Sequence, residues 1–205
     1  MVFLAQLCTY VFLHLPLKFI LRADVQGIEQ LNIDDRRAII IAANHHAKID
    51  PFLIYLLPFS LLLKIIPFYQ PTNEYHYHKW WFKIFILLGA YPIKRRAFTY
   101  EDLLGSTEYI LKKGHSVMIF PEAQIVTPGS KVEAKPGIIY MAKHTDAQIV
   151  PMYIKGSQQI GLRDIFMRKV KIILTMRPIF PIVDTIDRKE NMSLANKLMY
   201  CIYHG

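Results

Sequence analysis

Six consecutive apolar residues, Ala38-Ile39-Ile40-Ile41-Ala42-Ala43, run straight into Asn44-His45-His46-Ala47-Lys48-Ile49-Asp50, and a second apolar run from Pro51 to Leu57 follows at once. The first run is short and rich in isoleucine, so Arg37 to Ala43 reads as a buried strand. Asp50 before Pro51 reads as the N-cap and first residue of a helix. The polar stretch between them therefore marks a strand-to-helix junction. His45 and Asp50 would stand about 140° apart on a regular helix, so they meet only if the chain turns between them. Such a turn gives an imidazole base and an acid that can orient it, at the mouth of an apolar site. Taken singly, each has a plainer reading: an aspartate before proline caps a helix, and a lone histidine is structural.

The rest of the chain alternates in the same way. A helix is predicted over residues 76–88, ending at Gly89, and a short strand over Tyr91 to Lys94. Thr99 to Lys113 reads as a helix stopped by Gly114, and Ser116 to Phe120 as a strand cut off by Pro121. Residues 121–136 read as a loop and Gly137 to Lys143 as a short helix. Gln148 to Ile154 and Val170 to Met176 read as strands, and Asn191 to Tyr203 as an amphipathic helix. Pro151 inside an apolar strand suggests a sheet edge or a break. Strands alternating with helices indicate an α/β sheet domain.

Composition narrows the partners. The chain has 205 residues, is 53% hydrophobic and carries a formal net charge of +9. A basic, greasy chain suits an anionic membrane surface. Nucleic-acid binders expose their charge on a soluble domain, which the long apolar runs here do not resemble, so no nucleic-acid partner is expected. Two cysteines, Cys8 and Cys201, make no disulfide framework, and a reduced, cytoplasm-facing protein is expected. Three stretches look membrane-related. Residues 1–21 are apolar but carry Gln6, His14, Pro16 and Lys18, with nothing resembling a cleaved signal peptide. If this stretch spans a bilayer, Lys18 and Arg22 put the following domain on the cytoplasmic face. Pro51 to Tyr69 is broken by Pro58, Lys64 and Pro67. Trp80 to Ile93 sets Trp80 and Trp81 beside Lys79 and Lys83, the composition of an interfacial segment. The alternative for the second and third stretches is burial as core helices. The expected organisation is a membrane-associated segment over residues 1–22 and a domain over 23–205, attached to one face of the bilayer.

Three further blocks carry chemistry. Gly89-Ala90-Tyr91-Pro92-Ile93-Lys94-Arg95-Arg96 places three cations after a strand, as a solvated charge run or a phosphate-binding cluster. Phe120-Pro121-Glu122-Ala123-Gln124 places a carboxylate just after a strand, where α/β active sites lie. Val150-Pro151 is the last. In order and spacing over roughly residues 25–180, the four blocks resemble the glycerolipid acyltransferases typified by 1-acylglycerol-3-phosphate acyltransferases. Asn44, His45 and Asp50 match the family's Asn-His-four-residues-Asp block. Gly89, Ile93 and Arg95 match its second block, Phe120, Pro121 and Glu122 its third, and Val150 and Pro151 its fourth. Val25 to Glu29 looks like its lead-in strand. The chain departs from the pattern at Ala123, where the family has glycine, at Gln124 and Ile125, where threonine and arginine are frequent, and at Ala47, where serine is. The stretch Gln124 to Ser130, with Lys131 and Lys135 behind it, is similar to the 2-acylglycerophosphoethanolamine acyltransferases.

The resemblance implies the fold of glycerol-3-phosphate acyltransferases, a mixed β-sheet flanked by helices, and an O-acyltransferase. It implies His45 as the general base on a lysophospholipid hydroxyl and Asp50 as its partner. Asn44, Lys94, Arg95, Glu122 and Lys135 are the implied substrate contacts. Acyl-CoA or acyl-carrier protein would be the donor, with no cofactor. Other classes fare worse. The chain lacks a Gly-x-Ser-x-Gly nucleophile elbow, since Gly114-His115-Ser116 has neither the spacing nor the final glycine. The histidine clusters at 45–46 and 76–78 come with no cysteine pair or His-Glu-x-x-His, which weakens a metal enzyme. The non-enzyme rival is a membrane-binding protein on a degenerate acyltransferase domain, favoured by Ala123, Gln124 and Ile125 and opposed by His45, Asp50 and Glu122.

Overall fold

A computed structural model of the chain describes residues 1–77, 79–93, 100–127, 130, 133–160, 163–164, 167, 169–182 and 188–205. Among the described residues the strands are β1 (Asp24–Gln26), β2 (Ile39–Ala43), β3 (Phe68–Asn73), β4 (Ala90–Ile93), β5 (Ser116–Ile119), β6 (Gln148–Lys155) and β7 (Ile173–Met176). They form one sheet in the order β1-β7-β6-β2-β5-β3-β4. Every neighbouring pair is parallel except β6 with β7. This is the mixed, helix-flanked α/β sheet expected.

β2 is at the centre and buried along its whole length. Its residues alternate between two cores, as strand geometry requires. Ile39, Ile41 and Ala43 pack with the side chains of α1 (Val2–Ile20), a 3₁₀ helix (Asp50–Leu56) and α2 (Phe59–Ile65). Ala38, Ile40 and Ala42 pack with α5 (Tyr100–Lys112), α6 (Gly137–Thr145) and the final helix, Arg188–His204. In the final helix the buried stripe is Ala195, Leu198, Met199 and Ile202, at the spacing of one helix face.

Four local expectations change. The second apolar stretch is mostly core, with Leu53 to Leu57, Leu61, Leu62, Ile65 and Phe68 all buried and Phe59 and Leu63 exposed. Its end is a strand, β3, that was not foreseen: the strand starts at Phe68, just past Pro67, and runs beyond Tyr69 through Pro71. β3 pairs with β5 only through Phe68 and Tyr69, so the donor missing at Pro71 lies past that ladder. Pro151 likewise does not mark an edge, since β6 lies between β7 and β2. Its carbonyl accepts from the Arg177 N–H, just past the end of β7 at Met176, where the ladder no longer needs a donor from residue 151. Finally, the helix expected over 76–88 is broken into α3 (Glu74–Tyr77), a 3₁₀ turn (Trp80–Phe82) and α4 (Lys83–Leu87). Trp80 and Ile84 stay exposed there.

α1 is docked through polar as well as apolar contacts. Gln6 is fully buried; its Nε2 donates to the Phe68 and Leu88 carbonyls and its Oε1 accepts from the Phe68 N–H. His14 Nδ1 hydrogen-bonds the Tyr55 carbonyl at 2.9 Å. Gln6, Tyr10 and His14 lie four residues apart and so share one face. The opposite face leaves Leu4, Val11, Phe12 and Leu15 exposed. By length and composition α1 is the one helix among the described residues that could cross a membrane.

Candidate active site

The parallel register of β2 with β5 builds the site. Ala42 pairs with Ile119, so each chain continued three residues puts His45 beside Glu122. Both therefore emerge at the carboxyl ends of adjacent central strands, where ligands of α/β sheets bind. Glu122 Oε2 accepts the His45 backbone N–H at 2.7 Å. The Val126 N–H donates to the His45 carbonyl at 2.8 Å, and His46 Nδ1 donates to the Val126 carbonyl at 2.7 Å. The loop after β5 is thus stitched to the turn after β2.

Within that turn the chain reverses, as the sequence required. The Asp50 carboxylate is fully buried and folds back over its own turn. Its Oδ2 accepts the backbone N–H groups of His46 and Ala47, each at 2.7 Å, and stands 2.9 Å from His45 Nδ1. The expected helix cap is absent: the N-cap is Ile49, and no side-chain cap bond forms. A carboxylate that already receives two N–H donors accepts a third, so Nδ1 carries the proton and Nε2 holds the lone pair. The imidazole stacks on the Phe120 ring with centroids 4.1 Å apart. Its side chain keeps 16% exposure, and Nε2 meets no partner among the described residues. The arrangement is an oriented base with its free nitrogen outward.

Glu122 faces inward. It is 2% exposed, and its Oε1 accepts the Tyr203 hydroxyl at 2.7 Å. Both oxygens thus have partners within the fold, and the carboxylate braces the turn at His45. Burial pushes its carboxyl above the ordinary range, against the opposing pull of the Tyr203 hydroxyl, the His45 N–H and the nearby His46 and His45 rings. Asn44 is likewise built into the fold. It is fully buried, donating to the Ile154 carbonyl at 2.8 Å and accepting its N–H at 2.6 Å, so its amide extends the β2–β6 pairing. Lys135 is exposed, and its backbone N–H is bound to the Pro121 carbonyl beside Glu122. Lys94 and Arg95 lie outside the described residues. β4, which leads to them, is three strands from β2, about 14 Å at the usual spacing. No group of three or more histidine, cysteine, aspartate or glutamate side chains converges on a metal-sized site among the described residues. Tyr203, the stacking of Phe120 on His45 and the bonding of His46 were not anticipated. Nothing in the spacing of the final helix singled out Tyr203.

Ala123 takes a positive φ of 54°. An L-residue in the left-handed region is disfavoured by about 1–2 kcal/mol, of which glycine's greater chain entropy returns part. Ala123→Gly is therefore expected to stabilise the protein by about 1 kcal/mol, raising Tm by roughly 2–4 °C for a chain of this size. A lower melting temperature in a thermal scan would show that the methyl group packs favourably enough to offset the strain.

Residues 22–155 match the model of the family described as Acyltransferase. The chain belongs to the acyltransferase family. Among its relatives, a 1-acyl-sn-glycerol-3-phosphate acyltransferase of Borreliella burgdorferi is 24% identical over 172 residues, covering 79% of this chain and 64% of the relative. A probable 1-acyl-sn-glycerol-3-phosphate acyltransferase of Mycoplasma pneumoniae is 28% identical over 125 residues, covering 60% of this chain and 46% of the relative. The chain thus spans about half to two thirds of the length of these curated acyltransferases. The crystal structure of the 1-acyl-sn-glycerophosphate acyltransferase of Thermotoga maritima superposes with a TM-score of 0.63 at 18% identity, over 88% of this chain and 69% of that one. The two share the acyltransferase fold.

Proposed function

We propose that the protein transfers a fatty acyl group from acyl-CoA or acyl-carrier protein to the free hydroxyl of a lysophospholipid, with 1-acylglycerol-3-phosphate as acceptor and phosphatidic acid as product. The observation that carries this reading is His45, held by Asp50 with Nε2 outward at the carboxyl end of β2. Nε2 removes the hydroxyl proton as the alkoxide-like oxygen attacks the thioester carbonyl. Asp50 keeps the tautomer and stabilises the imidazolium. The substrate's own hydroxyl is the nucleophile, so no covalent enzyme intermediate is needed. The thiol leaves as the ester forms, taking back the proton. The N–H groups of His45, His46, Ala47 and Ala123 are already engaged, which narrows the donors left for the oxyanion in these loops. Lys94 and Arg95 bind the acceptor's phosphate, and the exposed Lys135 adds a cation behind the Glu122 loop.

Thiol release from palmitoyl-CoA, with and without lysophosphatidic acid, tests the reading. Release that needs the lysolipid supports it. No release with palmitoyl-CoA, palmitoyl-carrier protein or a panel of lysolipids would favour the membrane-binding, non-catalytic alternative. A better rate with lysophosphatidylethanolamine would move the acceptor to that head group, towards which the Gln124–Ser130 stretch leans.

The protein works at the cytoplasmic face of the membrane, and α1 lies on the bilayer rather than crossing it. Support comes from the face carrying the buried Gln6 and Tyr10 and the half-buried His14, which a spanning helix would have to surrender to lipid. Phe12 and Leu15 stand 74% and 71% exposed on the other face. Transferring each to an apolar phase is worth about 1.5–3 kcal/mol. Phe12→Glu with Leu15→Glu is therefore expected to weaken flotation with anionic vesicles by roughly 100-fold or more at unchanged Tm. Unchanged flotation would move the membrane contact elsewhere.

A further inference from the structure

The family match ends at residue 155, yet the site includes a side chain from the final helix. Tyr203 donates its hydroxyl to Glu122 Oε1 at 2.7 Å and touches His46 Nε2 at 3.3 Å. Its ring lies 5.5 Å from that of Tyr153 on β6. Four buried residues of the same helix, Ala195, Leu198, Met199 and Ile202, fix it to the sheet. Glu122 in turn holds the His45 backbone N–H through its other oxygen. One chain of hydrogen bonds thus runs from the final helix to the backbone of the histidine that faces solvent.

We propose that Tyr203 is a positioning residue for His45: its hydroxyl fixes the Glu122 carboxylate, and Glu122 fixes the turn that aims the imidazole. The role rests on the acyltransferase reading above. Glu122 is almost wholly buried, so its carboxylate depends on the few donors that reach it. Tyr203 supplies one, the His45 N–H another, and the rings of His46 and His45 contribute favourable charge when protonated. The Tyr203 hydroxyl itself stays protonated far above neutral pH, since burial and the Glu122 carboxylate both raise it, with smaller contributions from Tyr153 and Asp50. It is therefore a permanent donor. A helix outside the matched segment becomes part of the catalytic turn's support, and packing of that helix and aim of the base are coupled.

Tyr203→Phe deletes one hydroxyl and keeps the ring. Losing a hydrogen bond to a charged group predicts about a tenfold fall in kcat, with KM for donor and acceptor near wild type. The partner variant is Glu122→Gln, and the two are combined in a double-mutant cycle. If Tyr203 acts through Glu122, the hydroxyl's removal costs much less than tenfold in the glutamine background. A second readout is independent of turnover. Burial raises the Glu122 pKa in the folded state, so the stability linked to its protonation is present below the ordinary carboxylate range and lost as pH rises through the folded value. Removing the Tyr203 donor raises the folded value further, so Tyr203→Phe should lose Tm against wild type more at pH 8 than at pH 4.5. That widening, about 2–4 °C, should vanish in the glutamine background. Losses that simply multiply, a wild-type kcat in Tyr203→Phe, or a Tm difference that ignores pH would each overturn the role. A wild type inactive with every donor overturns the acyltransferase reading and this role with it. An active wild type with multiplying losses overturns this role alone.

Discussion

His45→Ala should reduce acyl transfer by about 10³-fold or more while the protein remains folded. General base catalysis contributes about 10²–10⁴-fold, and orientation of the base is lost with it. The geometry explains why the loss falls on the chemistry. Nε2 makes no bond within the described fold, so removing it breaks nothing structural. Nδ1 gives up one of the three donors on Asp50 Oδ2, and the N–H groups of His46 and Ala47 keep the buried carboxylate partnered. The ring's stacking on Phe120 is also lost. Together these cost about 1–3 kcal/mol, a Tm fall of several degrees and not an unfolded chain. The measurement is lysophosphatidic-acid-dependent thiol release beside a melting curve. Turnover near wild type from a folded variant would remove His45 from the mechanism. A melting curve without a transition would make the assay silent on chemistry, and His45→Gln, which keeps most of the volume and a hydrogen-bonding side chain, would then take its place.

What the sequence made legible follows from where the information is local. Ile39 to Ala43 is apolar without interruption, and so short a run rich in β-branched isoleucine favours a strand covered on both faces over a helix. The turn between His45 and Asp50 was legible for the opposite reason: two residues that cannot share a helix face are useful together only if the chain reverses. The direction of the Asp50 carboxylate was less legible. A cap and a backward-folded acceptor share the same residue before Pro51, and the choice depends on whether the nearest free N–H groups lie ahead or behind. Here they lie behind, on His46 and Ala47. β3 was missed because Pro51 to Tyr69 reads as one apolar stretch broken by Pro67, whereas the strand starts at Phe68, just after that proline, and runs on through Pro71, whose missing donor falls beyond the part that pairs with β5. Asn44 and Glu122 carry the chemistry of ligand contacts, and the sequence holds no record of burial. Their partners, Ile154 and Tyr203, are 110 and 81 residues away. Contacts over such separations follow from sheet register and helix packing, which no local pattern encodes.

Asp50→Asn isolates the charge of the catalytic pair from its geometry. Three donors point at Oδ2, and Oδ1 is buried with no partner among the described residues. An asparagine must therefore put its carbonyl oxygen at the Oδ2 position, because the reverse rotamer would aim its NH₂ at three N–H groups. The turn and the Nδ1–H tautomer survive, and what disappears is the negative charge that stabilises the imidazolium. Opposite charges about 4 Å apart at an effective dielectric near 20 interact by about 4 kcal/mol, which corresponds to roughly 10³-fold in kcat. Stability moves little by comparison. The amide's NH₂ takes the unpartnered Oδ1 position at a cost of about 1–3 kcal/mol, offset in part by relief of a buried charge. The signature is thus a large fall in kcat, a modest change in Tm and an unchanged KM for the lysolipid. A rate near wild type with a lowered Tm would give the carboxylate a different meaning. Asp50 would then hold the turn through His46 and Ala47, and the imidazole would act on its substrate without a counter-charge.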